Sequence, residues 1–333
     1  MSNTPLKIAF WNYDRTRPLA DGTVKIEGVD ASFESGKIVT EIFEKMIRQR
    51  AFDVSELGLT YFLRTFEMND PPFLAIPVFP NRCFRHSAIY VHTASGIETP
   101  RDLAGKTIGE LALYGHDAGV WPKGILSDEF GVKPEQSKWV IGGLNFPIGP
   151  IDYVPHPQPD NVEVTHAGQD EDLGEMLETG RIDALISANV PTCVLQGSSN
   201  VRRLFVDYEA AERDYFRRTG IFPIMHTVVI RKELVAEHPG LATAVYKGFC
   251  DAKEATVKRY RMGQMFMNAD IMFPWFGQLI DDDRDLMGED WWPYGMAANR
   301  TAIDTFLRYF FEQGLSPRHL TCEDIFVPEL LGT

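Results

Sequence analysis

At 333 residues the chain exceeds the usual size of one domain and can bury a large core, so two lobes are expected. Its 33 Lys and Arg against 47 Asp and Glu leave a formal charge of −14, which argues against a broad nucleic-acid or anionic-membrane surface and leaves any anionic ligand to a local basic cluster. No apolar run approaches the ~18 residues of a spanning helix, no apolar signal core opens the chain, and the four separated cysteines (Cys83, Cys193, Cys250, Cys322) suggest neither a zinc ribbon nor a disulfide frame, so the chain reads as cytoplasmic with free thiols.

Leu6–Trp11 reads as a first strand, and it hands over to a polar loop, Asn12 to Pro18, that carries Asp14, Arg15 and Arg17. Open α/β sheets place ligands at such strand ends. Asp21-Gly22 reads as a turn, Val24–Glu27 as a second strand, Glu41–Arg50 as a helix with Ile42, Phe43, Met46 and Ile47 on one face, and Phe52–Leu57 as a third strand ending near Glu56. Leu59–Met68 reads as a helix stopped at Asn69-Asp70-Pro71-Pro72. An apolar run, Phe73–Phe79, is expected to turn at Pro80-Asn81 and resume as a strand at Ala88–Val91. Arg82, Arg85 and His86 then form a basic knot between two strands, suited to a small anion.

Thr99-Pro100 begins a helical turn that Gly105 stops. Leu111–Gly119 is a loop with Tyr114, His116 and Asp117, followed by a helix over Val120–Phe130. Strands are expected at Trp139–Ile141, Val162–Thr165, Ile182–Ser187, Val201–Phe205 and Phe222–Ile230, the last containing His226. Helices are expected at Asp172–Thr179, Tyr208–Thr219, Pro239–Met262 and Met296–Gln313, and a long loop or flap at Gly142–Asp160. Trp291 to Tyr294 and Phe273–Phe276 read as packing or homo-oligomer contacts, and Asp281–Asp285 as a solvated acidic loop. No phosphate loop, dinucleotide fingerprint or nucleophile elbow is present.

Strands alternating with helices argue for α/β architecture with mainly parallel sheets. The turn after Val91 and the return near His226 divide the chain into a discontinuous lobe, 1–92 plus 225–333, and an inserted lobe, 93–224.

Several segments carry a resemblance: Phe52–Leu57, Ile76–Arg82, Phe84–Val91 with its Arg-x-Phe-Arg-His block, Asp102–Gly109, Asp128–Val132 and Gly220–His226. Together they resemble the 4,5-dihydroxyphthalate decarboxylase family, which is related to type 2 periplasmic solute-binding proteins. The resemblance implies a two-lobed α/β fold with two hinge crossings and a central ligand cleft, and a carboxy-lyase acting on 4,5-dihydroxyphthalate or a related dihydroxybenzoate.

Such a reaction needs a carboxylate clamp, an acid that protonates the ring carbon, and a group that handles a ring hydroxyl. Arginine suits the first through its bidentate fork, which makes Arg15, Arg17, Arg82 and Arg85 candidates. Histidine suits the second, which makes His86, His116 and His226 candidates, and Glu56 or Asp14 suits the third, with Tyr114 as a further binding residue. The bland alternatives are surface or interlobe ion pairs for Arg82 and Arg85, the start of a turn for Arg17, and satisfied structural histidines for His86, His116 and His226. No cofactor is called for. A divalent metal held by the three histidines with Glu56 or Asp117 is the sharper alternative, although no spaced ligand motif supports it.

The rival reading is a non-catalytic solute-binding protein of the ABC-transporter type, for a small anionic aromatic or pyrimidine-like ligand. The ligand-sensing domain of a regulator is disfavoured because no helix-turn-helix pattern precedes Leu6.

Overall fold

The computed structural model describes residues 3–145, 148, 151–268 and 271–333. Part of the expected 142–160 excursion and residues 269–270 of the Met/Phe-rich segment therefore lie outside the described residues.

Two mixed sheets organise the chain. The first runs β2 (Val29–Glu34), β1 (Thr4–Ala9), β3 (Val54–Gly58), β11 (Ile224–Arg231), β4 (Phe73–Arg82). The second runs β10 (Val201–Arg203), β5 (Ile89–His92), β9 (Ala184–Ile186), β6 (Thr107–Leu111), β7 (Lys138–Gly142), β8 (Glu163–His166). The expectation of mainly parallel sheets needs correcting. β1, β2 and β3 are parallel, as are β6 to β9, but β11 lies antiparallel to both β3 and β4, and β5 to both β9 and β10. The antiparallel members flank the two passages between the sheets, β4 to β5 and β10 to β11.

Three local expectations also change. The second strand is Val29–Glu34, not Val24–Glu27. Val24 and Ile26 alternate like a strand, yet Ile26 packs against Gly248 in an irregular segment, and Gly28 at φ +71° sets up the pairing that follows. The chain does not turn at Pro80-Asn81, because β4 continues to Arg82. A proline is tolerated there since β4 is the edge of its sheet. The C-terminal segment covers that edge: Gly295 N donates to Pro77 O at 2.8 Å and Val327 N to Ala75 O at 2.9 Å. Finally, Asp281–Asp285 belongs to helix Phe276–Met287, where Arg284 donates to Asp281 at 3.0 Å and Gln278 to Asp282 at 2.7 Å. Pairing at helical spacing keeps an acidic run helical.

One apolar core joins β1, β3, β4 and β11 to helices 39–49, 241–265 and 300–312 and extends under β6 and β7. A smaller cluster around Leu144, Leu173, Leu177 and Leu185 fills the far side of the second sheet. The carboxyl ends of β1 and β3 and the loop leaving β6 meet between the sheets.

Candidate active site

β3 lies between β1 and β11 and all five of its residues are buried, so a carboxylate on it must be satisfied from within. Glu56 is fully buried and is satisfied three times. Trp11 N donates to Oε2 at 2.8 Å, the Tyr13 hydroxyl donates to Oε1 at 2.7 Å, and His226 Nδ1 sits 2.6 Å from the same Oε1. Trp11 and Tyr13 come from the loop after β1. His226 comes from β11, opposite Gly58, where the pairing of β11 with β4 is irregular on both sides. Because a carboxylate accepts, Nδ1 carries the proton and Nε2 is the free nitrogen. Burial, and then the charge of Glu56, push the Tyr13 phenol well above its usual range, so it stays a donor.

The second sheet contributes the loop after β6. His116 caps helix Asp117–Phe130, and its Nδ1 accepts from Ala118 N at 3.1 Å. Burial drives its pKa down to about 4 against the pull of Asp117, and the charges of Arg85 and His226 act in the same direction as burial. His116 is therefore neutral at pH 7 and lies within electrostatic reach of both groups. Asp117, the next residue, accepts from Thr60 N on the first-sheet side. Its Oδ2 presses on Gly58, where any Cβ would collide with it. That oxygen, Thr60 Oγ1 and the Tyr61 hydroxyl are buried and unpartnered, so the two halves meet across polar atoms with spare capacity.

Arg85 is buried, and its Nε and Nη2 point at Met225 Sδ, 3.1 and 2.6 Å away. A thioether is a weak acceptor. Among the described residues no carboxylate lies within ion-pair distance of this guanidinium. A buried cation held only by sulfur, beside the residue that precedes His226, is a ready seat for a small carboxylate.

The other candidates are distributed differently. Arg82 is spent on the C-terminal segment: it donates to Phe222 O at 3.1 Å, to Pro293 O at 2.7 Å and to Asn299 Oδ1, and burial lowers its pKa to about 9. Arg15 stacks between Tyr13 and Trp292, at 4.3 and 4.1 Å, and donates to Pro80 O. Asp14 accepts from Arg15 and from the Tyr260 hydroxyl, tying the loop to helix 241–265. Arg17 is exposed. The Tyr114 ring covers Lys123 Nζ at 3.7 Å, and Lys123 is paired with buried Glu110 at 2.7 Å. His86 lies apart from the site, between Phe205 and Tyr215, with Nδ1 unpartnered and its pKa lowered to about 4 by burial.

The structure thus brings Glu56 and His226 together, sets His116 and Arg85 near them, and keeps His86, Arg17, Arg82 and Tyr114 elsewhere. Sequence reasoning missed Tyr13 and Met225. Tyr13 could have been found as the one hydroxyl-bearing ring in the loop after β1, whereas a methionine carries no signal for cradling a guanidinium. Among the described residues no three His, Cys, Asp or Glu side chains are arranged to hold a metal ion.

No protein-family model matches the chain. Its likeness to individual proteins is extensive. It is 37% identical over 331 residues to a 4,5-dihydroxyphthalate decarboxylase of Comamonas testosteroni, covering 99% of this chain and 98% of the relative. A 4,5-dihydroxyphthalate decarboxylase of Pseudomonas putida is 37% identical over 217 residues, covering 65% of this chain and 83% of that one. Among solved structures the periplasmic sulfonate-binding protein SsuA of Methylobacillus flagellatus KT superposes with a TM-score of 0.58 at 12% identity, over 99% of this chain and 93% of that one. That likeness shows a two-lobed, periplasmic-binding-protein fold and no more. Near-complete coverage at 37% identity carries the stronger conclusion: the chain belongs to the 4,5-dihydroxyphthalate decarboxylase family.

Proposed function

We propose that the protein is a carboxy-lyase that removes CO2 from a hydroxylated aromatic acid, 4,5-dihydroxyphthalate or a related dihydroxybenzoate. The observation that carries the reading is the buried Glu56 and His226 pair, with Arg85, a buried guanidinium that has no ion-pair partner among the described residues, acting like His226 on the same His116.

In this reading Arg85 exchanges its sulfur contact for the substrate carboxylate and orients the ring. The ring-to-carboxylate bond breaks, its electron pair stays on the ring carbon, and the Nε2 proton of a His226 imidazolium fills the vacated position as CO2 leaves. Glu56 stabilises the imidazolium and fixes its tautomer through Nδ1. Tyr13 or His116 meets a ring hydroxyl. The two sheets act as two lobes, the crossings falling between Arg82 and Ile89 and between Arg203 and Ile224, and closure excludes water. The family's relatives are named as enzymes, which disfavours a non-catalytic solute-binding role. A cytoplasmic setting suits four unpaired thiols. The partner is a small anionic aromatic, not a nucleic acid or a membrane.

The test is incubation with 4,5-dihydroxyphthalate and a panel of dihydroxybenzoates in D2O. The expected result is CO2 release with one deuterium placed at the vacated ring carbon; tight binding without turnover across the panel overturns the reading.

A further inference from the structure

Helix Leu241–Met265 and helix Phe276–Met287 form a hairpin whose tip, in its described residues, is apolar and bare. Met265, Phe266, Met267, Met272, Phe273 and Trp275 are each at least 67% exposed. Between Arg261 and Asp281 the sequence carries one charge, Asp270. The two helices are tied together beside this connection, since Gln264 Nε2 donates from the first helix to Gly277 O and to Asp281 Oδ1 of the second, both at 3.2 Å. Six large apolar side chains this exposed present on the order of 1,000 Å² of apolar surface, above the few hundred Å² usual on a monomer and close to the ~800 Å² that each partner buries in a stable complex.

The occupant that fits is a second copy of this chain. Met and aromatic residues at the centre with charges at the rim is the make-up of an interface core. At the rim Arg261 pairs with Glu289 and Arg284 with Asp281, both at 3.0 Å, while Asp282, Asp283 and Asp285 stay acidic on the second helix, so the apolar contact has to outweigh some like-charge repulsion. A self-complementary patch also closes naturally about a two-fold axis.

The same hairpin supports the loop that carries Tyr13. Tyr260 packs its ring edge-on to Phe276 at 5.1 Å, and its hydroxyl donates to Asp14 Oδ2. Thr256, one turn earlier, donates to Asp14 O at 2.9 Å. Asp14 adjoins Tyr13, whose hydroxyl is bonded to Glu56. We propose that this tip is the contact through which copies of the chain associate, and that association steadies the loop that delivers Tyr13 to Glu56.

The test is light scattering with sedimentation velocity on the full chain, against a Met265→Glu, Phe273→Glu double variant and, separately, Met272→Glu at a position 98% exposed. The expected wild-type mass is at least two chains of 37.7 kDa, falling to one chain in the double variant with an unchanged far-UV spectrum. Met272→Glu is expected to weaken association at least tenfold, which keeps the proposal open to refutation if the double variant fails to fold. A wild type that stays monomeric at about 100 μM, an assembly that the charges do not disturb, or a monomer that sediments with phosphatidylcholine vesicles overturns the interface. Turnover per chain, with 4,5-dihydroxyphthalate as probe, is expected to fall severalfold in the dissociated variant. Equal turnover per chain overturns the coupling to the loop and leaves the oligomeric result to be judged by mass alone.

Discussion

Glu56 Oε1 accepts from both Tyr13 and His226, so one buried oxygen serves two rings, one from the loop after β1 and one from β11. The Tyr13 hydroxyl also lies 3.5 Å from His226 Nδ1, and the three groups behave as a unit. A change in any of them is felt by the others, so their effects on turnover will not add.

Glu56→Gln keeps the shape of the side chain but removes the charge that stabilises an imidazolium and offers an amide in its place. Turnover is expected to fall by ~10²-fold or more, with binding of a non-reacting dihydroxy acid changed far less. Steady-state CO2 release and calorimetric binding check this. Full activity in Glu56→Gln would remove the pair from the chemistry.

Arg85→Met should separate affinity from stability. The substrate loses its bidentate partner, and KM is expected to rise by ~100-fold. The fold loses a buried cation held by a sulfur and, only at longer range, by Glu212, so the melting temperature should hold or rise. Arg85→Lys restores charge without the fork and should recover affinity only in part.

His86 and His116 both have folded-state pKa values lowered to about 4 by burial, below the ~6.5 of an unfolded histidine. Between those values the unfolded chain binds protons that the folded chain does not. The stability each contributes is therefore fully present above pH ~6.5 and is lost as pH falls towards 4, on the order of 2–3 kcal/mol for His86. His86→Phe, in its cage of Phe205 and Tyr215, should flatten the melting temperature between pH 6.5 and 4 while turnover persists. Loss of turnover in that variant would return His86 to the active site.

The Glu110 and Lys123 pair is wholly enclosed, with Glu110 Oε1 also accepting from Gly115 N at 3.0 Å. Lys123→Met strands the carboxylate and is expected to cost ~3–5 kcal/mol in denaturant unfolding. Adding Glu110→Leu should recover much of the loss. If the single change is silent, the pair is not what holds the loop leading to His116.

Much of the frame was legible. The alternation in Leu6–Trp11, Phe52–Leu57 and Phe222–Ile230 marks three strands that all reach the site, and Glu56 could be placed at a strand end from its flanks alone. What could not be read is direction. Arg85 and His86 are neighbours in sequence, yet a 3-10 turn at His86–Ala88 sends the guanidinium to Met225 and the imidazole into an aromatic cage. Arg82 looked equivalent to Arg85, but its carbonyl partners lie some 140 and 211 residues away, and no local pattern announces them. Asp281–Asp285 looked like a loop because four acids in five residues mask the helical spacing of Arg284 to Asp281 and of Gln278 to Asp282.

Gly58 now takes on a further meaning. The backbone there is in contact with Asp117 from the other side of the cleft, and the absence of a side chain sets how near the two halves can come. Alanine at 58 would act as a wedge against Asp117, leaving Glu56, His226 and Arg85 chemically intact but holding the jaws ajar by about the width of a methyl group, and it would also crowd Tyr61 and Phe43 in the core beneath it. Such a variant would bind its acid and lose it again to bulk water before the bond broke. A dissociation rate that rises well beyond that of an equally destabilising change elsewhere in the core would identify it, and would make this position the gauge against which closure is measured apart from the reaction it encloses.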